Sequence, residues 1–429
     1  MTEIRITVEN LSPEGGTFLT PFWFGLHDEG FDLFEVGGET SEGLERIAED
    51  GTFMAIAEEL IAADPEGQGG IVTGAAGPIA TAETTSVNVD VADGSATRFI
   101  SLAAMLLPSN DAFVGTEEEI ALFDEDGNFL GTQTVTFLGS DVLDAGTEVN
   151  TEMDAAFINQ SMDDAGVEEG GVIAAHPGFN GSAGLPAPEF EQIILGGTNA
   201  FGETIDPTIA DFTLPGAGIA EITIQEVIVT EGGDDDDSLE VSFGGLDRVD
   251  GGDGTDSVSV DTALAGLSVL RAGTGFRFAD GAGDEVEIGN IEQIDFTDAS
   301  LAVTTDAAAV AIALIYQTAL GREADAGGLA FWTGELADGQ SVGEIADAFV
   351  SSAEFGSAGG DASDIDGLLE LVYGNAVGRG PDDAGATFWG DRLGDDDFDA
   401  GDLVAAFAQA GETSEVNADA IEDGFLILA

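Results

Sequence analysis

In this 429-residue chain the residues best placed for chemistry are carboxylates in glycine-punctuated turns, and the chemistry they suit is the binding of a hard cation. The segment GGDGTDSVS (251–259) has glycine at its first, second and fourth positions, aspartate at the sixth and an apolar residue at the eighth. The glycines let a tight turn aim carbonyl oxygens inward, the aspartate adds a carboxylate, and the apolar residue anchors a short strand. The pattern marks Gly251, Asp253 and Asp256 as ligand positions. Nine residues earlier, SFGGLDRVD keeps Gly245, Asp247 and Val249 in register. Ten residues before that, GGDDDDSLE keeps Gly232, Gly233, Asp237 and Leu239. Three turns in phase predict a short stack sharing cations between neighbours. Downstream, Asp284 and Val286 stand in the same relation, as an irregular turn to which no ligand is assigned.

A second constellation lies near the amino terminus. SNDAF (109–113) and DAGTEVNTE (144–152) gather Asn110, Asp111, Asp144 and Glu148 on loops between strands, where oxygen donors again suit Ca²⁺. The two histidines, His27 and His176, sit in the short segments GLHDEG and AHPGF. With no cysteine and no third histidine, a transition-metal site would need carboxylates to complete it, so both are expected to make structural hydrogen bonds.

Other chemistries lack their residues. Nine basic residues, all arginine, against 85 acidic ones give 9 − 85 = −76, which excludes charge-driven binding to nucleic acid or anionic lipid. With no lysine there is no phosphate-cradling P-loop, and no G-x-S-x-G elbow occurs. Zero cysteines exclude disulfides and thiolate sites. The chain is expected to be no enzyme, with no catalytic residues. Hydrophobic residues at 43%, 27 of them phenylalanine, are enough to build cores once the charge is screened.

The elements that must position these residues change character twice. Residues 1–205 alternate in short runs, such as Ile4, Ile6, Val8 and Val87, Val89, Val91, which predicts an antiparallel β-sandwich. Ile120–Gly131 reads as a hairpin turning on Asp126-Gly127 in type I′ geometry. One helix, GLERIAEDGTFMAIAEELIAA, interrupts the strands, its buried face carrying Leu44, Ile47 and Ala48, then Met54, Ala57 and Ile61. Residues 206–304 form a small, β-rich, roll-like region containing the phased turns. Residues 305–429 are an all-α duplication: LIYQTALGREADAGGLAFWTGEL (314–336) realigns on LVYGNAVGRGPDDAGATFWGDRL (371–393) at a constant offset of 57. The units span about 306–362 and 363–421, each of three short helices, with capping boxes at Ser341/Glu344 and Asp399/Asp402. Arg322 and Arg379 read as structural ion pairs that tie a loop to a helix start, and Trp332 and Trp389 as core residues.

Three resemblances follow from these segments. ITVENL (6–11), IAEDG (47–51), MLLPSNDAFVG (105–115) and DAGTEVNTE resemble the spondin amino-terminal domain in its bacterial form. That resemblance implies a sandwich with one calcium at its loop end, Asp144 and Glu148 as ligands with Asp111 beside them, and a secreted or matrix setting. The phased turns resemble the calcium-binding β-roll of the RTX family. The pattern GR-x-x-D-x-x-G-x-x-F-W, present in both helical copies with Ala386 at the position of Leu329, resembles a tandem domain of unknown function that ends many secreted bacterial proteins.

Together these imply a secreted, calcium-binding structural or adhesive protein of the bacterial surface or matrix, self-assembling into a lattice or filament. Its partners would be further copies of itself or a surface glycan. The alternatives are a secreted hydrolase with an unrecognised site and a glycan-binding module. No apolar run approaches a transmembrane length, and MTEIRITVEN lacks the pattern of a cleavable signal. The closing AIEDGFLILA looks like an uncleaved type I secretion signal.

Overall fold

The computed structural model describes residues 2–92, 94–150, 155–158, 166–179, 194–272, 275–304, 307–322, 324, 326–394, 398–410 and 425–428. The chain forms two compact units, Met1–Val227 and Ile228–Ala429.

The first unit is an antiparallel sandwich built from β1 (Thr2–Asn10), β2 (Phe18–Leu19), β3 (Phe22–His27), α1 (Glu42–Asp50), α2 (Met54–Ala63), β4 (Gln68–Val72), β5 (Thr84–Val91), β6 (Phe99–Leu107), β7 (Ala112–Gly115), β8 (Ile120–Ala121), β9 (Gln133–Leu138), β10 (Leu143–Asp144), β11 (Ala174–Ala175) and β12 (Gly218–Glu231). One sheet runs β5-β1-β12-β9; the other runs β11-β10-β7-β6-β3-β4, with β2 and β8 also on β6. The main core takes Ile4, Ile6 and Val8 from β1, Phe22, Phe24 and Leu26 from β3, and Ile222 and Ile224 from β12. A second core lies on the other face of β3 and β6, where Trp23 and Ala103 meet Leu44, Ile47, Ile56 and Leu60 of α1 and α2. Burial on both faces explains why FWFGLH and FISLAAMLL are nearly unbroken apolar runs.

Three expectations change here. The helical segment is two helices, because Gly51 takes a left-handed conformation (φ 64°) that caps α1 and turns the chain. The second helix consequently presents a different face: Ile56 and Leu60 are buried, whereas Met54 and Ile61 are 77% and 48% exposed. The 120–131 hairpin forms, but among its turn residues only Gly127 has positive φ, which rules out a type I′ turn. The Asp124 carboxylate instead closes the loop by accepting from the backbone of Asp126 and Asn128. The unit also extends to Val227 rather than 205, since β12 is paired on both sides within its sheet.

The second unit begins with β13 (Ser238–Val241), β14 (Leu246–Asp250), β15 (Ser257–Val260), β16 (Ser268–Ala272), β17 (Gly275–Ala279), β18 (Glu285–Gly289), β19 (Gln293–Asp295) and β20 (Ser300–Thr304). The strands β13 to β16 enter the two sheets by turns, and the pairs β13 with β15, β15 with β19, and β14 with β18 run parallel, whereas β16–β17–β18 and β19–β20 pair antiparallel. This is a roll, and Val249, Val258, Val260, Phe278, Val286, Ile288 and Ile294 fill the space between its two layers.

The helices follow: α3 (Ala307–Leu320), α4 (Ala326–Ala337), α5 (Val342–Val350), α6 (Ala353–Ser357), α7 (Ile365–Val377), α8 (Asp383–Leu393) and α9 (Ala400–Ala408), then β21 (Phe425–Leu428). The duplication repeats its contacts. Tyr316 meets Phe349 edge-on at 4.6 Å and Tyr373 meets Phe407 at 4.8 Å; Trp332 and Trp389 pack on the same two phenylalanines. Both capping boxes form. Arg322 stacks on Tyr316 and pairs with Glu354 at 2.6 Å in the first turn of α6; Arg379 stacks on Tyr373. Of the closing AIEDGFLILA, residues 425–428 pair with β20, and the remaining positions lie outside the described residues.

Candidate metal centre

Strand pairing assembles the sandwich cluster. In the β7–β10 register Asp144 lies opposite Ala112, the neighbour of Asp111. β11 pairs with the far edge of β10, and the backbone N–H of His176, just beyond it, donates to the Val142 carbonyl at 3.0 Å. Candidate ligand atoms of Asp111, Asp144 and His176 therefore all lie within 4.8 Å of one another.

Asp111 is fully buried. Its Oδ2 accepts from the backbone of Thr147 at 3.0 Å and of Glu148 at 3.1 Å, and from the Thr147 hydroxyl at 3.3 Å. Its Oδ1 has no partner. Burial, and then the charge of Asp144, push its carboxyl up to about 7 against the two backbone hydrogen bonds. A buried carboxylate with one bare oxygen facing a second carboxylate is costly unless a cation or a proton joins it.

Asp144 is held in place. Its Oδ1 accepts from Gly146 N–H at 2.8 Å and its Oδ2 from the Asn150 amide at 2.5 Å. His176 stands behind this relay: its Nδ1 accepts from Gly178 N–H at 3.0 Å, which places the proton on Nε2, 3.0 Å from Asn150 Oδ1. Burial holds this imidazole well below its usual range, at about 4, although the Asp144 charge pulls the other way. The ring is neutral, and both of its nitrogens are engaged. His176 thus orients Asn150, and through it Asp144, leaving oxygen donors to face the centre. Oxygen donors without a free imidazole suit Ca²⁺ better than zinc.

Glu148 is buried, and its charge also acts on Asp111. Its Oε1 accepts from Gly166 N–H at 2.9 Å, while its Oε2 receives the Asn110 amide at 3.4 Å. It lines an adjoining cleft of about 440 Å³ with Glu39, Glu45, Glu49 and Glu168. There burial pushes Glu49 up to about 7, helped by the charge of Glu148 and opposed by the Thr147 hydrogen bond and Arg46.

The phased turns make a different arrangement. Asp237 and Asp256 stack in turns that enter the parallel strands β13 and β15, with Ser238 opposite Ser257. Asp256 Oδ1 accepts from Asp237 N–H at 2.7 Å, and Asp256 N–H donates in turn to Glu292 Oε2 at 2.6 Å. Asp256 is 2% exposed, and its Oδ2 has no partner. A Cβ at Gly251 would strike the Asn290 carbonyl and lie 2.7 Å from that bare oxygen, so only glycine permits this oxygen-rich approach. Glu292 extends the row, which sequence phase alone does not reveal. Asp253 is exposed and gives its backbone N–H to the Gly233 carbonyl. Asp247 does not join this row: it lies on β14, in the other sheet, because alternate turns feed alternate layers.

His27 is fully buried, with Nε2 2.9 Å from the Ser101 hydroxyl and Nδ1 2.6 Å from the Asp28 carbonyl, a structural role. Among the described residues, no helix is long and apolar enough to cross a membrane.

A β-sandwich with buried oxygen donors at its loop end, followed by a small roll and paired helical repeats, defines a modular chain. Residues 17–163 match the Spondin_N domain family. Residues 302–359 and 346–417 match a domain of unknown function, DUF4214, once for each helical copy. No curated protein matches the chain.

Proposed function

We propose that this is a calcium-binding structural or adhesive protein that works outside the cell, where calcium completes two kinds of oxygen site and screens the acidic surface. The observation that carries this reading is the bare, fully buried Asp111 Oδ1 beside Asp144, in a frame where Asp111 Oδ2 and both Asp144 oxygens accept hydrogen bonds. The stacked Asp237, Asp256 and Glu292 support it from a separate region. When bound, calcium supplies positive charge; the chain's own residues supply position, through the Thr147–Glu148 backbone on Asp111 and the His176–Asn150 relay on Asp144.

A net charge of −76 keeps copies apart at low ionic strength, and divalent cations shared between acidic surfaces remove that barrier, which favours self-association as the mode of action. The spondin-like domain fits an extracellular setting, and export as an unfolded chain that folds on meeting calcium is consistent with ligand-driven stability.

The test is to record thermal unfolding and light scattering of the full chain in calcium and in chelator, with electron microscopy of any scattering species. Calcium is expected to raise the unfolding temperature and to drive assembly. Identical unfolding in both conditions would overturn calcium binding, and calcium-stabilised chains that stay monomeric would overturn the assembly role.

A further inference from the structure

The roll has two free sheet edges of opposite charge. Among the described residues, β16 ends one sheet and β13 ends the other. β16 pairs with β17 in unbroken register, from Ser268 opposite Ala279 to Ala272 opposite Gly275, which leaves the backbone groups of its far side unpaired within the sheet. The strand SVLRA has neither a proline nor a bulge to blunt that edge, and Val269 and Leu270 are 41% and 54% exposed. An apolar strand with an open side is a template for a further strand.

The charge of this edge is the reverse of the chain's. Residues 262–279 contain no aspartate or glutamate and two of the nine arginines, Arg271 and Arg277, in a chain whose net charge is −76. On the face of the sheet turned away from the core, Arg248 stands opposite Glu287, Glu287 opposite Arg277, and Arg277 opposite Leu270. Arg277 also pairs with Glu285 at 3.8 Å. The acids of β18 are thus matched by arginines, and β16 itself carries Arg271 as its one charge.

The edge at β13 is the counterpart. Four aspartates, Asp234 to Asp237, lead into this strand, and it includes Glu240; Asp234, Asp235, Asp236 and Glu240 are exposed. Two β16 edges side by side would set arginine against arginine, and two β13 edges would set acid against acid, both of which are unfavourable. Only the mixed pairing joins opposite charges.

We infer that the β16 edge of one chain docks the β13 edge of a second copy, so that copies join head to tail through their rolls. This contact rests on the self-assembly reading above and gives it a surface. Because the two edges differ, a joined pair still presents one of each, and addition continues into an open filament unless the rotation between copies closes a ring.

The test uses the full chain in saturating calcium at fixed ionic strength, with assembly followed by sedimentation velocity. Arg271→Glu sets like charges at the contact from one side and Glu240→Arg from the other; each is expected to raise the concentration needed for assembly by about 10-fold. Mixed in equal amounts, the two variants are expected to assemble again, since the reversed edges match each other and the unreversed edges still match. Parent-like calcium affinity and unfolding temperature in each variant separate lost docking from lost folding. A peptide of residues 234–241, DDDDSLEV, should block assembly of the parent by occupying β16, a result that needs no variant. A parent that stays monomeric in calcium would overturn the assembly reading and this contact with it. A parent that assembles, with both variants and the peptide leaving that assembly unchanged, would overturn the contact alone, as would folded variants that fail to recover on mixing.

Discussion

The sandwich and the roll arrange their buried carboxylates in opposite ways. In the sandwich, Asp144 lies on β10 and Asp111 immediately precedes its antiparallel neighbour β7, in a unit whose core includes Phe22, Phe24, Leu102 and Ile222. The frame exists before any ion arrives, and the ion would relieve one buried oxygen. In the roll, four- and five-residue strands contribute a thin core, and the turns hold one another through their own carboxylates, Asp237 to Asp256 to Glu292. A cation there would be part of what makes the turns stack. Under the proposed function the same ligand chemistry would serve as an added fitting in one region and a structural member in the other.

The strongest way to break this contrast is to remove calcium and follow hydrogen exchange along the chain. Residues 232–300 are expected to lose protection in chelator while the central strands β1, β3 and β6 keep theirs. At a calcium concentration 100-fold above the dissociation constant, a site is worth about 2.7 kcal/mol, and the roll has little else to offset its loss. Asp256→Ala should reproduce the effect in calcium without disturbing the helical duplication. If the sandwich opened first, the assignment of roles would be reversed.

A second test addresses the relay. Asn150→Ala removes the group between His176 and Asp144, leaving Asp144 free to turn. Calcium affinity of the sandwich should fall by about 10- to 100-fold, as for other losses of a supporting partner, with the roll unaffected. Calorimetric titration of parent and variant reads this directly. Unchanged affinity would mean that Asp144 needs no orientation, and that His176 and Asn150 are packing alone.

Asp111→Asn gives a smaller effect of distinctive sign. In chelator it should stabilise the chain by about 1 kcal/mol, because a buried bare carboxylate becomes a neutral amide whose oxygen still accepts from Thr147 and Glu148. In calcium the advantage should vanish or reverse. A variant less stable than the parent in both conditions would show that the carboxylate is already satisfied in the free chain.

How far these features are legible in the sequence depends on how local they are. The capping boxes of the helical duplication come from spacings within one turn of helix, and they form as read. The alternation of Ile4, Ile6 and Val8 is equally local, and all three are buried. By contrast, Gly51 decides the phase of α2, and a periodicity carried across it picks Met54 and Ile61 over Ile56 and Leu60. Asp111 and Asp144 can be picked out as loop carboxylates, but the role of His176 depends on where β11 docks, and no spacing encodes that. Asp247 reads in phase with Asp237 and Asp256, yet alternate turns enter alternate layers, so its neighbours are Asp261 and Asp284. Phase along the chain reports the repeat; the layer a strand enters decides which carboxylates meet.

The helical duplication supplies the control that distinguishes a site from a crowd of acids. Asp347 on α5 faces Asp399 and Asp402 at the start of α9; burial first, and then these neighbours, raise its pKa. It is nevertheless solvent-exposed, and the matching position of the second copy is Ala405. A raised folded-state pKa means that the folded form holds its proton more tightly than the unfolded chain. Its stabilising contribution is therefore full below the ordinary carboxylate range and is lost as pH rises through the raised value. Asp347→Ala, which copies the other repeat, should accordingly gain stability at neutral pH and lose that gain in acid. The gain should stay within about 0.5 kcal/mol, as for most surface changes. Added NaCl should erase it as fully as CaCl₂ does, since screening alone is enough for an exposed group. Thermal unfolding of parent and variant in the two salts, matched for ionic strength, checks this: a response to calcium beyond that of sodium would place an ion at the helix ends as well. Sodium-only behaviour there, set against calcium-specific behaviour at Asp111 and Asp256, would establish that a buried oxygen without a partner, and not the density of carboxylates, is what makes calcium specific in this chain.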